Sequence, residues 1–278
     1  MPTGTLYVVA TPLGNLGDLS MRAAELLRNV PVVAAEDTRR TRGLLSHLGA
    51  RPTLLSFHAH SDEHRLETVL NILRGGRDVA LVSDAGTPTV SDPGADLVGL
   101  ARESGITVVP IPGPSAVATA LSAAGLPADR YLFLGFVPRK GRERSRLLQR
   151  AAADEWSVVF YEAPPRLVAL LEDLLPLAGA DRRVVVAREL TKMHEEIRSG
   201  TLGELVDYFT ALPPRGELTV ILRGTGSPPA EPDRTEEAVE QATTLLAEGL
   251  PRREVARRLT ESLGLPRNEA YRLVMELP

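Results

Sequence analysis

Four apolar residues, Val79-Ala-Leu-Val82, run without a break into Ser83-Asp-Ala-Gly-Thr-Pro-Thr-Val-Ser-Asp-Pro-Gly94. A short unbroken apolar run predicts a strand covered on both faces, the condition of a parallel sheet with helices on either side. The following turn ends at Asp92-Pro93-Gly94, which reads as a helix start. Asp92 is the expected cap, and Pro93 sits where a missing N–H costs nothing. In open α/β sheets, ligands lie outside the carboxyl ends of such strands. Ser83, Asp84 and Thr87, on a backbone stiffened by Gly86 and Pro88, are therefore candidates to meet a small ligand. The plainer reading is a loop that only turns the chain, and the density of Asp, Gly, Thr and Pro weighs against it.

The pattern recurs through the first part of the chain. Leu6 to Ala10, Val32 to Ala35, Thr53 to Phe57 and Ile106 to Pro110 are further strand-length runs, with helical segments expected near 20–28, up to 48, and 61–74. Strand followed by helix, repeated, predicts a parallel sheet covered by helices. The first loop, Thr11-Pro-Leu-Gly-Asn-Leu-Gly-Asp18, bears glycines, but its G-x-x-G spacing is not a dinucleotide fingerprint and it lacks the Gly-Lys-Ser/Thr of a phosphate loop. Glu36-Asp-Thr-Arg-Arg40 reads either as an ion-paired helix start capped by Thr38 or as part of a site. In Ile111-Pro-Gly-Pro-Ser-Ala-Val-Ala-Thr119 two prolines stiffen the turn. Ser115 and Ala116 begin a helix whose free N–H groups suit a carboxylate.

Length and composition bound the function. The 278 residues, 43% hydrophobic and 24% charged, suit a soluble globular protein of two domains and a small appendage. With no cysteine, disulfides, thiolate metal sites and cysteine nucleophiles are excluded. His58, His60 and His64 cluster, but without a matching acidic triad no metal is expected. The leading apolar run is too short for a signal core and no run is long enough to span a bilayer, so a cytoplasmic location is expected, with no membrane. Net charge is −4, which does not announce a nucleic-acid binder. The distribution says more: Lys140 and Lys192 are the only lysines among 32 basic residues.

After Leu126-Pro127 the pattern changes. Tyr131 to Leu134 leads into residues 138–150, where six basic residues face one acid. That reads as a solvated helix face or as a footprint for a phosphate backbone. Strands are expected at Trp156 to Tyr161, Arg183 to Ala187, Glu195 to Arg198 and Glu217 to Leu222, with a helix from about Pro165 to Leu175, giving a second, mixed sheet. Residues 223–233 read as a linker. Beyond it, Asp233 and Glu236 suggest a capping box, and Gly249-Leu-Pro-Arg-Arg is echoed by Gly264-Leu-Pro-Arg-Asn. Two short helices joined at a glycine read as a helix-turn-helix whose second helix spans Pro266 to Leu277, or as a packing module with no nucleic-acid role.

Five of these stretches, in order, resemble the tetrapyrrole-methylase superfamily in its ribosomal RNA branch: Thr5 to Asp18, Ala35-Glu-Asp-Thr-Arg39, Val82-Ser-Asp-Ala-Gly-Thr-Pro88, Pro112-Gly-Pro-Ser-Ala116 and Ala187-Arg-Glu-Leu-Thr-Lys192. The resemblance covers residues 4–224, and the tail resembles that branch's helix-turn-helix extension. It implies a two-domain α/β fold: an N-terminal domain with a parallel sheet at 1–125, a mixed-sheet domain at 126–224, a linker at 225–234 and a helical module at 235–278. It also implies S-adenosylmethionine in the cleft between domains, 2′-O-methylation of a cytidine in small-subunit (16S) ribosomal RNA, and a homodimer. Carried over by position, Pro12, Leu13, Gly14, Asp84, Ala85, Gly86, Thr87, Pro88 and Val90 would touch the cofactor, Ser115 and Ala116 would hold its methionine end, and Tyr161 and Arg188 would wall the other side. The chain departs from the family pattern at His58-Ala-His60-Ser61-Asp62, usually His-x-His-Asn-Glu. It departs again at Tyr161-Glu-Ala-Pro-Pro-Arg166, usually Tyr-Glu-Ser-Pro-His-Arg.

For the chemistry, Glu36, Asp37, Arg39 and Lys192 are expected to shape the acceptor site. Lys192 can serve as a base only if burial or a neighbouring cation lowers its pKa. Arg139, Lys140, Arg142, Arg144 and Arg146, with Arg252, Arg253 and Arg267 of the tail, are the expected RNA contacts. The alternatives are a tetrapyrrole (precorrin-like) C-methyltransferase, a diphthamide-type protein methylase, and a DNA-binding regulator with a degenerate methylase domain.

Overall fold

A computed structural model describes residues 2–58, 63–226, 235–263, 265 and 267–277. The chain divides into two compact units, 1–227 and 228–278. In the first, β1 (Leu6–Val9), β2 (Val32–Ala35), β3 (Thr53–Ser56), β4 (Val79–Val82) and β5 (Val108–Ile111) form an all-parallel sheet in the order β3-β2-β4-β1-β5. Their apolar runs are nearly continuous because both faces are covered. Leu6, Val32 and Leu81 meet α3 (Glu63–Arg74) and α4 (Ala95–Glu103), while Val9, Val33 and Val82 meet α1 (Met21–Asn29) and α2 (Thr38–His47). β5 begins two residues later than the sequence suggests. As an edge strand it tolerates Pro110, which has no N–H to give a ladder.

The carboxyl ends of β1 and β4 lie side by side, yet their crossovers leave in opposite directions, to β2 and to β5. A crevice opens where the two loops diverge. The loops are tied there by a pair of backbone bonds between Thr11 and Gly86, 2.8 and 3.0 Å, and by the Thr11 hydroxyl donating to the Ser83 carbonyl at 3.2 Å.

α5 (Ala116–Ala124) follows β5 in sequence but packs on the second sheet. Val117, Ala120, Leu121 and Ala124 cover Val159, Val185, Ala187 and Ile221. That sheet has the order β6-β7-β10-β8-β9, from β6 (Tyr131–Phe136), β7 (Ser157–Glu162), β8 (Arg183–Arg188), β9 (Glu196–Thr201) and β10 (Leu218–Leu222), with only β6 and β7 parallel. Its opposite face carries α6 (Arg142–Ala153), α7 (Leu167–Ala178) and α8 (Leu202–Ala211). α8 is absent from the sequence reading, although Thr201 and Glu204 close a reciprocal capping box at its start.

The second unit consists of α9 (Thr235–Ala247), α10 (Arg252–Leu263) and α11 (Arg267–Glu276) around Ala238, Ala242, Val255, Leu259, Ala270 and Val274. The expected start of the last helix at Pro266, the linker from 227 and the Asp233–Glu236 box lie outside the described residues.

Candidate active site

The loops after β1, β2, β4 and β5 and the facing ends of β6, β7 and β10 enclose a cleft of about 400 Å³. Ten of the residues singled out from sequence line it: Leu13, Glu36, Asp84, Ala85, Gly86, Thr87, Val90, Ser115, Ala116 and Tyr161. Gly86 has φ +79° and lies with its Cα hydrogens toward Leu13, so the two loops close to backbone contact. Thr87 donates to the Pro114 carbonyl at 3.1 Å, locking the β4 loop to the β5 loop. Thr89 and Ser91 are left-handed at φ 73° and 62°, as are Glu189 and Thr191 in the loop after β8. Backbone strain of this kind is held where surrounding structure over-determines it, and it clusters at ligand sites.

Three carboxylates converge on one wall. Glu36, Asp84 and Asp92 all line the cleft, beside Arg40, whose guanidinium is 3.7 Å from Asp84. Burial raises the Glu36 pKa, and the nearby charge of Asp84 adds to it. Burial also pushes Asp92 up to about 6, against a hydrogen bond from Ser83, with Glu36 and Asp84 adding to the rise. Asp92 does not cap α4. The N-cap is Gly94, at φ +121° with no side-chain bond, where a Cβ would fall 2.6 Å from Leu81. Gly94 lets the chain turn behind the loop and frees Asp92 to face the cleft.

Adjacent residues part company at the end of β2. Asp37, not Thr38, caps α2: its Oδ1 accepts from the Arg39 amide at 2.8 Å, and the Arg39 guanidinium pairs with it at 2.8 Å. That pairing holds the Asp37 carboxyl far below the usual range. Neither Asp37 nor Arg39 lines the cleft, so of the two readings of this stretch the helix cap describes them and the site describes Glu36.

Lys192 is also placed differently from the expectation for a base. Its Nζ donates to Glu189 at 2.8 Å and Glu217 at 3.0 Å. Burial pulls its pKa down, but the two carboxylates outweigh it and the net shift is upward, so Lys192 stays a cation. Its alkyl stem lies on Gly14, where a Cβ would come within 2.2 Å. Gly14 is thus required to seat Lys192, and Pro12, Gly14 and Pro88 do not line the cleft. Arg188 likewise turns away, donating to Glu196 at 3.1 Å.

The far wall joins Tyr161, expected there, to residues that sequence reasoning missed. Tyr161 stands between Phe133 and Phe136, with ring centroids 4.9 and 5.5 Å away. Burial first, then the charge of Asp92, pushes its hydroxyl up to about 12. Beside it Glu162, with no side-chain exposure, accepts through Oε1 from the Ala163 amide at 2.8 Å and pairs with Arg166 at 3.1 Å. Its Oε2 is buried without a partner, although the residue lines the cleft. Leu218 and Thr219 of β10 complete the wall. The strand-end position of Glu162 was visible in the sequence, but its burial was not.

Of the basic stretch, Arg139, Lys140, Arg142 and Arg146 are exposed and form no ion pair among the described residues. Arg144 differs from its expected role. Its side chain is 9% exposed, bonded to Asp173 at 2.7 Å and to the Pro138 carbonyl at 3.1 Å, because its place on α6 faces α7. In the second unit Arg253 and Arg267 are exposed, whereas Arg252 donates to the Val274 and Leu277 carbonyls at 2.6 and 2.9 Å. No group of acidic or histidine side chains able to hold a metal occurs among the described residues. Nor is any described helix long and apolar enough to cross a membrane.

A parallel sheet whose loops meet a mixed sheet across one cleft defines a class. Residues 5–206 match the tetrapyrrole (corrin/porphyrin) methylase model, and the chain belongs to that family. More particularly, it is 45% identical over 275 residues to "Ribosomal RNA small subunit methyltransferase I" of Synechocystis sp., covering 99% of this chain and 98% of that one. It is 45% identical over 278 residues to the protein of the same name from Pseudomonas aeruginosa, again covering 99% and 98%. Among solved structures, it superposes with a TM-score of 0.58 on a uroporphyrin-III C-methyl transferase from Thermus thermophilus complexed with S-adenosyl homocysteine. That pair shares 21% identity over 78% of this chain and 97% of the other.

Proposed function

We propose that this chain is an S-adenosylmethionine-dependent methyltransferase of small-subunit ribosomal RNA, acting on the ribose 2′-hydroxyl of a cytidine. The observation that carries the reading is the cleft itself, together with full-length similarity to relatives named for that RNA. The cleft fits the cofactor on three counts. The start of α5, where Ser115 makes no capping bond, suits a carboxylate. The orphaned Glu162 oxygen suits an N–H donor. The Glu36, Asp84 and Asp92 wall suits a cation. Leu13, Gly86, Thr87, Val90, Ser115 and Ala116 would hold the cofactor from one side, with Tyr161 and Thr219 on the other. When bound, it supplies a methyl group already activated by the sulfonium.

The chain then has two tasks, alignment and removal of a proton. Holding the reacting atoms in line is worth roughly 7–11 kcal/mol. A ribose hydroxyl is a weak acid, so a base contributes about 10²–10⁴-fold. Asp92, with its pKa pushed up to about 6, is ionised at neutral pH yet basic enough to accept that proton, and Glu36 lies in the same wall. Tyr161 keeps its proton at neutral pH and packs the site. Residues 1–125 supply most of the cofactor loops and 126–224 the facing wall. The exposed Arg139, Lys140, Arg142 and Arg146, with the module at 235–278, supply RNA contacts. The enzyme works as a cytoplasmic homodimer on the small ribosomal subunit or its RNA.

A tritium-transfer assay with small subunits, naked 16S RNA and a porphyrinogen precursor tests this. Label in the 2′-O-methyl of a cytidine supports the reading. Label in the precursor would assign a tetrapyrrole C-methyltransferase instead.

A further inference from the structure

β6 carries one residue too many. Its register against β7 runs Phe133↔Val159, then Gly135↔Phe160 and Phe136↔Tyr161, so Leu134 is bulged out of the ladder. In an unbroken strand, residues three apart face opposite sides. Phe136 would then lie on the face buried under α6 and α7. The bulge instead returns it to the same side as Phe133, and both rings contact Tyr161. Bulges that re-aim one side chain are designed features rather than defects.

Gly135 makes the bulge possible. It is left-handed at φ +59°, and a Cβ there would come within 2.6 Å of the Ser91 hydroxyl across the cleft. The cost of this irregularity is not repaid by burial, since Phe136 remains 56% exposed. Its exposed ring lines the cleft, and the next exposed side chains along the chain are Arg139, Lys140 and Arg142, which form no ion pair among the described residues. An aromatic face followed by free cations is the chemistry that receives an unstacked base while its phosphates are held outside.

We infer that Phe136 is the stacking platform for the acceptor nucleobase, seated there by the Leu134–Gly135 bulge. The inference rests on the RNA-methylation reading above. It assigns Phe136 to the acceptor and not to the cofactor.

Phe136→Ala is expected to lower kcat/KM for RNA about 5- to 150-fold, the range of one base–aromatic stack. S-adenosyl homocysteine affinity and oligomeric mass should not change. Phe136→Tyr should restore the rate, and Phe136→Leu, apolar but without a π-face, should not. Wild-type kinetics in Phe136→Leu would overturn the inference. So would a parallel loss of S-adenosyl homocysteine binding, or a change in oligomeric mass. A second measurement uses Phe136→Trp in a Trp156→Phe background, which leaves one tryptophan to report. Single-stranded pyrimidine RNA should quench it, and an unquenched tryptophan overturns the platform. If wild-type enzyme moves no methyl to RNA, the RNA-methylation reading fails on its own, and the quenching still decides whether Phe136 stacks bases.

Discussion

The two walls of the cleft are built by different rules. The wall from the parallel sheet consists of loops leaving adjacent strand ends, and its residues sit together in sequence: Asp84 to Thr87 with Val90 to Asp92 make one stretch, Ser115 and Ala116 another. The wall from the mixed sheet gathers Phe136, Tyr161, Glu162, Leu190 and Thr219 from four separated segments. In the first, position along the chain nearly determines position in the site. In the second, it is set by ladder register, a bulge and the burial of a carboxylate. Chemistry therefore concentrates on the first wall, and shape on the second.

Mutations can break this contrast. The largest effect is expected at the first wall, where Asp92→Asn should lower methyl transfer about 10²–10⁴-fold with little change in S-adenosyl homocysteine binding. In the wild type, kcat should fall as pH drops through about 6, and the residual rate of the variant should lose that limb. Retention of the wild-type profile would remove Asp92 as the proton acceptor. The same substitution has a stability signature of defined sign. The folded state raises the Asp92 pKa, so the stability from this group is complete below about pH 4 and lost as pH rises to about 6. Scanning calorimetry should show the Asn variant gaining Tm on the wild type between those values, with a constant gap above.

Next in size is Lys192, whose ammonium ties the loop after β8 to the start of β10. Lys192→Met leaves Glu189 and the mostly exposed Glu217 without their shared donor, a loss of about 0.2–1 kcal/mol per pair. At about 2–4 °C per kcal/mol this is a measurable drop in Tm. The position of the kcat–pH limb should not move, which separates a tether from a base. The smallest effects distinguish two arginines of α6. Arg142→Gln should reduce the salt slope of RNA binding by about one and leave Tm alone. Arg144→Gln should do the reverse, because its guanidinium is spent on Asp173 and the Pro138 carbonyl.

The same contrast explains what could be read from the sequence. β2 and β4 were legible to the residue because a doubly covered strand is apolar throughout, and Asp84 and Thr87 were legible as cleft candidates because they leave the end of β4. Asp92 was misassigned because Asp-Pro-Gly is also a sound helix start, and only the left-handed Gly94 distinguishes the two. Arg144 could not be told from Arg142 because a run of cations hides which one faces a neighbouring helix. Phe136 was invisible since its direction depends on one residue, Leu134, bulged from a pairing with a strand 25 residues away.

α5 has a bearing on how the molecule is assembled. It is made by the first sheet's segment of chain but serves as the lid of the second sheet's apolar face. A chain ending at residue 125 would carry four stranded apolar side chains, and one starting at 126 would leave Val159, Val185 and Ile221 bare. Neither half has a complete core, so residues 1–227 should melt and refold in one cooperative step. During synthesis, the first half must wait for β10, about a hundred residues later, before its last helix has anywhere to dock.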